Sequence, residues 1–183
     1  RRHRAPPQTP ADQQPAQRRA AEVRRLAQAS GCELLVNGKG PEGSLRREAT
    51  KAGCPTIIFE GGEPLKIEPG VLEAGVRTVT NVLQTLGMVT GEPRPPAQQY
   101  RINKSTWVRA QVGGVLRFHV APGEPVEEGQ PIATNVSLYG NEQNLLAAPL
   151  AGVVLGMTTL PVVKPGEPVC HLAVVQRSTR QLR

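Results

Sequence analysis

The stretch GGVLRFHVAPGEPVEEGQPIATN, residues 113–135, returns in outline as AGVVLGMTTLPVVKPGEPVCHLAVV, residues 151–175. Pro122-Gly123-Glu124-Pro125-Val126 recurs as Pro165-Gly166-Glu167-Pro168-Val169, 43 residues later. Each half reads in the same order: a glycine, an apolar strand, a Pro-Gly turn, then a second apolar strand. No helical period is visible across either half. A duplicated motif of this kind specifies an all-β unit more strongly than any single turn.

Two such halves point to a barrel-sandwich hybrid over 104–175, the architecture of biotinyl and lipoyl domains. Those domains act as carriers when a lysine sits at the hairpin between the halves. The corresponding stretch here, NVSLYGNEQNLLAAP at 135–149, contains no lysine. Carrier chemistry is therefore excluded, while the architecture survives. Outward from the repeat, Pro93, Pro95 and Pro96 mark 91–103 as a linker, and 176–183 form a basic tail.

Residues 17–90 read as an α/β block. AQRRAAEVRRLAQAS, from Ala16, has helix formers and helical spacing, and Gly31 is its stop. CELLVNG is a short strand. GSLRREATKAG is a helix with Ser44 as N-cap and Gly53 as its end. PTIIFE, 55–60, is a continuous apolar run, expected to be a strand buried on both faces. From Gly70 to Leu86, Val71, Leu72, Val76, Val79, Val82, Leu83 and Leu86 follow a 3.6 period. That helix serves a core or a subunit contact equally well, so a homo-oligomer stays open. Residues 1–16, with four Pro, three Gln and three Arg, are expected to be loop or disordered.

The 183-residue, 19.6 kDa chain carries a net charge of +7, which invites a nucleic-acid reading. Position weakens it. Residues 1–30 carry +5, 176–183 carry +3, and 31–175 carry −1. With aromatics at 3%, stacking platforms are scarce, so nucleic acid is not expected as a partner. No apolar run approaches the roughly 20 residues of a spanning helix, so no membrane is expected either. Cys32, Cys54 and Cys170 lack close spacing, which fits buried thiols in a reducing, cytoplasmic setting.

Glu60 is the sharpest single candidate. It ends the apolar run and precedes Gly61-Gly62, so a partly desolvated carboxylate there is suited to general base and acid work. The paired glycines let a ligand or another chain approach. Arg46 and Arg47, on the helix before that run, offer forks for a substrate carboxylate. A solvated surface role is the alternative for all three. His3, His119 and His171 are too scattered for a zinc site, and His119 and His171 read as structural.

Taken together, GSLRREATKAGCPTIIFEGGE, NVLQTLGMV, VRAQVGGVLRFHVAPGEPVEEGQPI and APLAGVVLGMTTLPVVKPGEPV resemble the succinylglutamate desuccinylase/aspartoacylase family over about residues 22–175. The resemblance implies the C-terminal part of a carboxypeptidase-like α/β domain followed by the β domain. It implies a zinc-dependent hydrolase that cleaves the amide of N-acyl amino acids by water attack, with a Glu general base. Glu60 matches that Glu, and Arg46, then Arg47, match the substrate-binding Arg. The family's His-x-x-Glu and Asp-Leu-His zinc ligands have no counterpart here. Arg2-His3-Arg4-Ala5-Pro6 looks like a degraded Arg-x-Asn-x-Pro, which puts His3 on a non-ligand position. The expectation is therefore the C-terminal half of such an enzyme, without its zinc-binding half and inactive alone. The runner-up is a non-catalytic binding or adaptor module built on the β domain.

Overall fold

The computed structural model describes residues 10–140 and 143–176, with side chains from 17 to 175. His3 and the basic tail beyond Gln176 lie outside the described residues. The chain divides into two compact units, Arg1–Gln99 and Tyr100–Arg183.

The first unit holds α1 (Pro10–Ala29), β1 (Leu34–Val36), α2 (Leu45–Lys51) and α3 (Pro69–Thr85). Helix α1 begins at Pro10, so residues 10–16 are helical rather than the expected loop. Proline's fixed φ suits a first helical position, and its missing N–H costs nothing there. The composition of the segment concealed this. Ser44 caps α2 by position only: its hydroxyl donates to the Pro41 carbonyl at 2.8 Å and makes no capping bond to the helix. In α3, Pro69 stands at the start, Leu86 is the C-cap, and Gly87 leaves with φ 70°.

One expectation for this unit fails on burial. Residues 55–60 form no strand, and Ile58, Phe59 and Glu60 are exposed. A strand needs a neighbour to take its backbone groups, and no described segment of the unit provides one. Helix α3 turns its apolar stripe outward: Leu72, Val76 and Val79 are 58%, 59% and 59% exposed. Its buried residues are Thr78 and Asn81.

The polar side of α3 packs on α1 around Leu26 and Ser30. Arg25 Nη1 donates to the Thr85 carbonyl at 3.2 Å. Asn81 donates through Nδ2 to the Arg94 carbonyl at 3.0 Å and accepts the Arg94 N–H at 2.9 Å. Gly31, at φ 83°, makes this junction: a Cβ there would lie 2.7 Å from Asn81 Nδ2.

The second unit is all β: β2 (Tyr100–Arg109), β3 (Gly114–Phe118), β4 (Pro125–Val126), β5 (Pro131–Val136), β6 (Gln143–Ala147), β7 (Gly152–Met157), β8 (Val162–Val163) and β9 (Pro168–Gln176). Strand β2 starts inside the segment read as linker. Within the unit one sheet runs β2-β9-β7-β4 and the other β6-β5-β3-β8. Their buried side chains share one aliphatic core, including Leu116, Ile132, Val154, Val169 and Leu172.

The repeat is reproduced down to single hydrogen bonds. Ala121-Pro122-Gly123-Glu124 and Lys164-Pro165-Gly166-Glu167 are turns with Pro second and a positive-φ glycine third, at 89° and 84°. That order is what a type II turn requires. In each, the glutamate carboxylate accepts the N–H three residues back: Ala121 to Glu124 at 3.0 Å and Lys164 to Glu167 at 2.8 Å. The short strands are exchanged between halves. Strand β4 of the first half pairs with β7 of the second, and β8 of the second pairs with β3 of the first.

Candidate functional site

Helix α2 carries both candidate arginines, and both reach back over the turn at Gly40. Arg46 Nη2 would lie 2.7 Å from a Cβ at Gly40, which sits at φ 73°, so glycine is needed for this approach. Arg46 Nε is buried and has no hydrogen-bond partner. Arg47 is more committed: its Nη1 makes a long bond of 3.5 Å to the Gly40 carbonyl, and its Nη2 lies 3.6 Å from Glu42. Of the pair, Arg46 keeps more of its donor capacity for a ligand. Lys51 neutralises Glu48 at 2.8 Å, and holds the Glu48 carboxyl below its usual range.

Glu60 lies on the apolar loop between α2 and α3 and is exposed. The burial on which its expected role rests is not supplied by the described residues. It shares no hydrogen bond or ion pair with Arg46 or Arg47 among them. The glycines after it have a local purpose. A Cβ at Gly61 would lie 3.2 Å from Val71 Cγ1, and Gly62 has φ 80°. What approaches the pair so closely is α3 itself.

Beside Glu60, Phe59 leans on α3, its ring 3.5 Å from where a Cβ at Gly75 would stand. Phe59, Val71, Leu72, Val76 and Val79 line a shallow, open apolar groove of about 510 Å³. The sequence marked the α3 face as core or subunit contact, but gave no sign that Phe59 joins it in a groove. The signal for that face was the α3 period itself, which marks an apolar face without saying what covers it.

The residues present do not fit the zinc that the resemblance implies. Among the described residues no three His, Cys, Asp or Glu side chains gather as a ligand set. His119 Nε2 is 2.8 Å from Thr134 Oγ1. His171 stacks on its cross-strand partner Trp107, ring centroids 4.3 Å apart. The three cysteines are free and span every degree of exposure: Cys54 is exposed, Cys32 intermediate and Cys170 buried. The expectation of uniformly buried thiols therefore fails at Cys54. Burial pushes the Cys170 thiol up to about 11.

No protein-family model matches the chain, and no curated protein matches it by sequence. Solved structures do match in fold. The apo ectoine utilization protein EutE (DoeB) of Ruegeria pomeroyi matches with TM-score 0.77 at 19% identity, over 84% of this chain and 51% of that one. A succinylglutamate desuccinylase/aspartoacylase from Rhodobacter sphaeroides matches with TM-score 0.77 at 18% identity, over 88% and 51%. An aspartoacylase family protein of Mesorhizobium loti matches with TM-score 0.70 at 18% identity, over 94% and 51%. The chain thus spans about half the length of the structures it matches. No helix among the described residues is long and apolar enough to cross a membrane.

Proposed function

We propose that these residues form the C-terminal part of a zinc-dependent hydrolase that releases the acyl group of N-acyl amino acids. The observation that carries the reading is the fold: about nine-tenths of the chain matches half of structures described as succinylglutamate desuccinylase/aspartoacylase or aspartoacylase family proteins. Residues 17–90 would then complete a carboxypeptidase-like α/β domain. Residues 104–175 would form the barrel-sandwich hybrid beside it. A ligand set for the zinc would come from residues other than those described.

In this reading Glu60 takes a proton from the attacking water and passes it to the departing amine, leaving the acyl group as a carboxylate. For that its carboxylate has to be covered, which fits the apolar groove beside it. Arg46, with its unpaired Nε, binds the substrate carboxylate. The substrate is a small molecule, and the setting is cytoplasmic.

The test is hydrolysis by the full-length, zinc-loaded polypeptide against a panel of N-acyl amino acids. Glu60→Gln is expected to abolish turnover and leave bound zinc unchanged. Full activity in that variant refutes the role, and a full-length sequence without His-x-x-Glu and Asp-Leu-His refutes the reaction class.

A further inference from the structure

Among the described residues of the second unit, β6 is a sheet edge that nothing blunts. Within that unit the sheets end on β2, β4, β6 and β8. Strands β4 and β8 have two residues each, and β4 opens on Pro125. Strand β2 carries Arg101, Lys104 and Arg109, and its ladder is irregular at two places. Shortness, charge and proline are the usual guards of an edge. Strand β6, Gln143-Asn144-Leu145-Leu146-Ala147, has five residues and neither charge nor proline. The irregularity in its ladder, between Pro131 and Ala133, lies on β5. Two bonds fix which backbone groups of β6 are engaged. The His119 N–H donates to the Ile132 carbonyl at 2.8 Å, so Ile132, Thr134 and Val136 turn to β3, while Ala133 and Asn135 turn to β6. Their partners there are Leu146 and Asn144. The Ala148 N–H, on the Gln130 carbonyl at 2.9 Å, keeps the same alternation. Gln143, Leu145 and Ala147 therefore direct their N–H and C=O groups away from the sheet.

We propose that β6 pairs with β6 of a second copy of this chain, antiparallel and about a two-fold axis at Leu145. Leu145 exchanges both backbone bonds with its own counterpart, and Gln143 exchanges both with Ala147 of the other copy. Every outward group of the strand is then used, and the two four-stranded sheets join edge to edge. Two observations select a second copy over a different protein. A two-fold axis sets like against like, so a charged edge repels itself, and β6 is neutral along its whole length. The side chains also fit themselves: Leu145, 62% exposed, meets Leu145, and the long Gln143 meets the small Ala147. Val136, Val115 and Val162 stand in register on the strands behind them. Arg117 lies on β3, with β5 between it and the paired edge. None of the residues given a role in hydrolysis takes part.

The experiment uses the full chain. Sedimentation equilibrium is expected to show a reversible dimer at concentrations on the order of 10–100 micromolar, since an edge contact is a small interface. Amide hydrogen exchange is read residue by residue by NMR at low and high concentration. The amides of Gln143, Leu145 and Ala147 are expected to slow about 10-fold or more as the dimer forms. Those of Asn144 and Leu146, already bonded to β5, should not change. Leu145→Lys is expected to weaken association at least roughly 10-fold, because it sets two like charges opposite each other. Leu145→Glu should do the same. An equal mixture of the two variants should associate again, since lysine then meets glutamate, and variants that had merely failed to fold could not do this. Val162→Lys, on β8, and Val76→Lys, on α3, are the controls and should leave the dimer intact. A chain that stays monomeric over this range overturns the proposal, and so does a mixture of the Leu145 variants that stays monomeric. A dimer lost on Val162→Lys or Val76→Lys also overturns it, because the contact then belongs to the sheet face or to α3.

Discussion

Asn81→Ala in the free chain is the sharpest test of which way α3 faces. Asn81 is 1% exposed and spends both ends of its amide on the backbone of Arg94. Two such bonds are worth about 1 kcal/mol each, net of water. Arg94 lies at the surface, so its freed N–H and C=O can turn to solvent, and the full penalty for orphaned groups does not apply. Alanine returns roughly 0.5 kcal/mol through its better helix propensity. The expected net loss is therefore about 1.5–2 kcal/mol. Val76→Gln removes an apolar side chain from the periodic stripe, yet that side chain is 59% exposed. Its expected cost is within about 0.5 kcal/mol. Urea unfolding separates the units conveniently. All three helices precede residue 99, so far-ultraviolet circular dichroism follows the first unit, while Trp107, the sole tryptophan, follows the second. Asn81→Ala should shift the helical transition and leave the Trp107 transition in place. A Val76→Gln loss near 2 kcal/mol, with Asn81→Ala silent, would mean that α3 buries its apolar stripe and turns Asn81 to solvent, the reverse of the packing on α1.

Further outcomes are expected. Cys54 should be alkylated rapidly at neutral pH, and Cys170, fully enclosed, only after the second unit unfolds. The Cys170 thiol, raised to about 11 from 9.0, holds its proton more tightly when folded. Its contribution is therefore complete below pH 9 and declines as pH climbs toward 11, and Cys170→Ala should flatten that decline in a pH series of unfolding midpoints. Val154→Ala opens a hole at a fully buried position shared by both sheets, with an expected loss of about 2 kcal/mol in the Trp107 transition. Glu124→Ala and Glu167→Ala should each cost the second unit roughly 1 kcal/mol, by similar amounts because each removes the same turn bond.

The second unit was largely legible because its signals are local. Proline sets one dihedral, glycine permits the next, and the glutamate closes the turn, all within four residues. The ends of α3 were legible for the same reason, in Pro69 and Gly87. What sequence could not reveal is which surface another segment covers. The α3 period marks an apolar face, and PTIIFE marks a wish for burial, but neither names a neighbour, and none is present among the described residues. At the site, helix α2 brought Arg46 and Arg47 to the same glycine turn as neighbours on one helix end. Glu60 was singled out by its place between an apolar run and Gly61-Gly62, but the burial expected there is missing, and it lies exposed beside Phe59 and α3. The start of α1 was missed because the Pro-, Gln- and Arg-rich composition of 1–16 was weighed as loop, whereas a helix tolerates a proline such as Pro10 in its first turn.

The exchanged short strands of the second unit bear on its ancestry. The Gly123 N–H closes its bond on Val154, in the opposite half, and β4 and β8 each lie on the other half's long strand. One copy of the motif could not satisfy these groups by itself. It could do so by associating with an identical copy about a two-fold axis, each lending its short strand to the other. A duplication followed by fusion would turn that homodimer into the present single unit. The ancestral interface would survive as its interior, and the join would lie at the lysine-free hairpin.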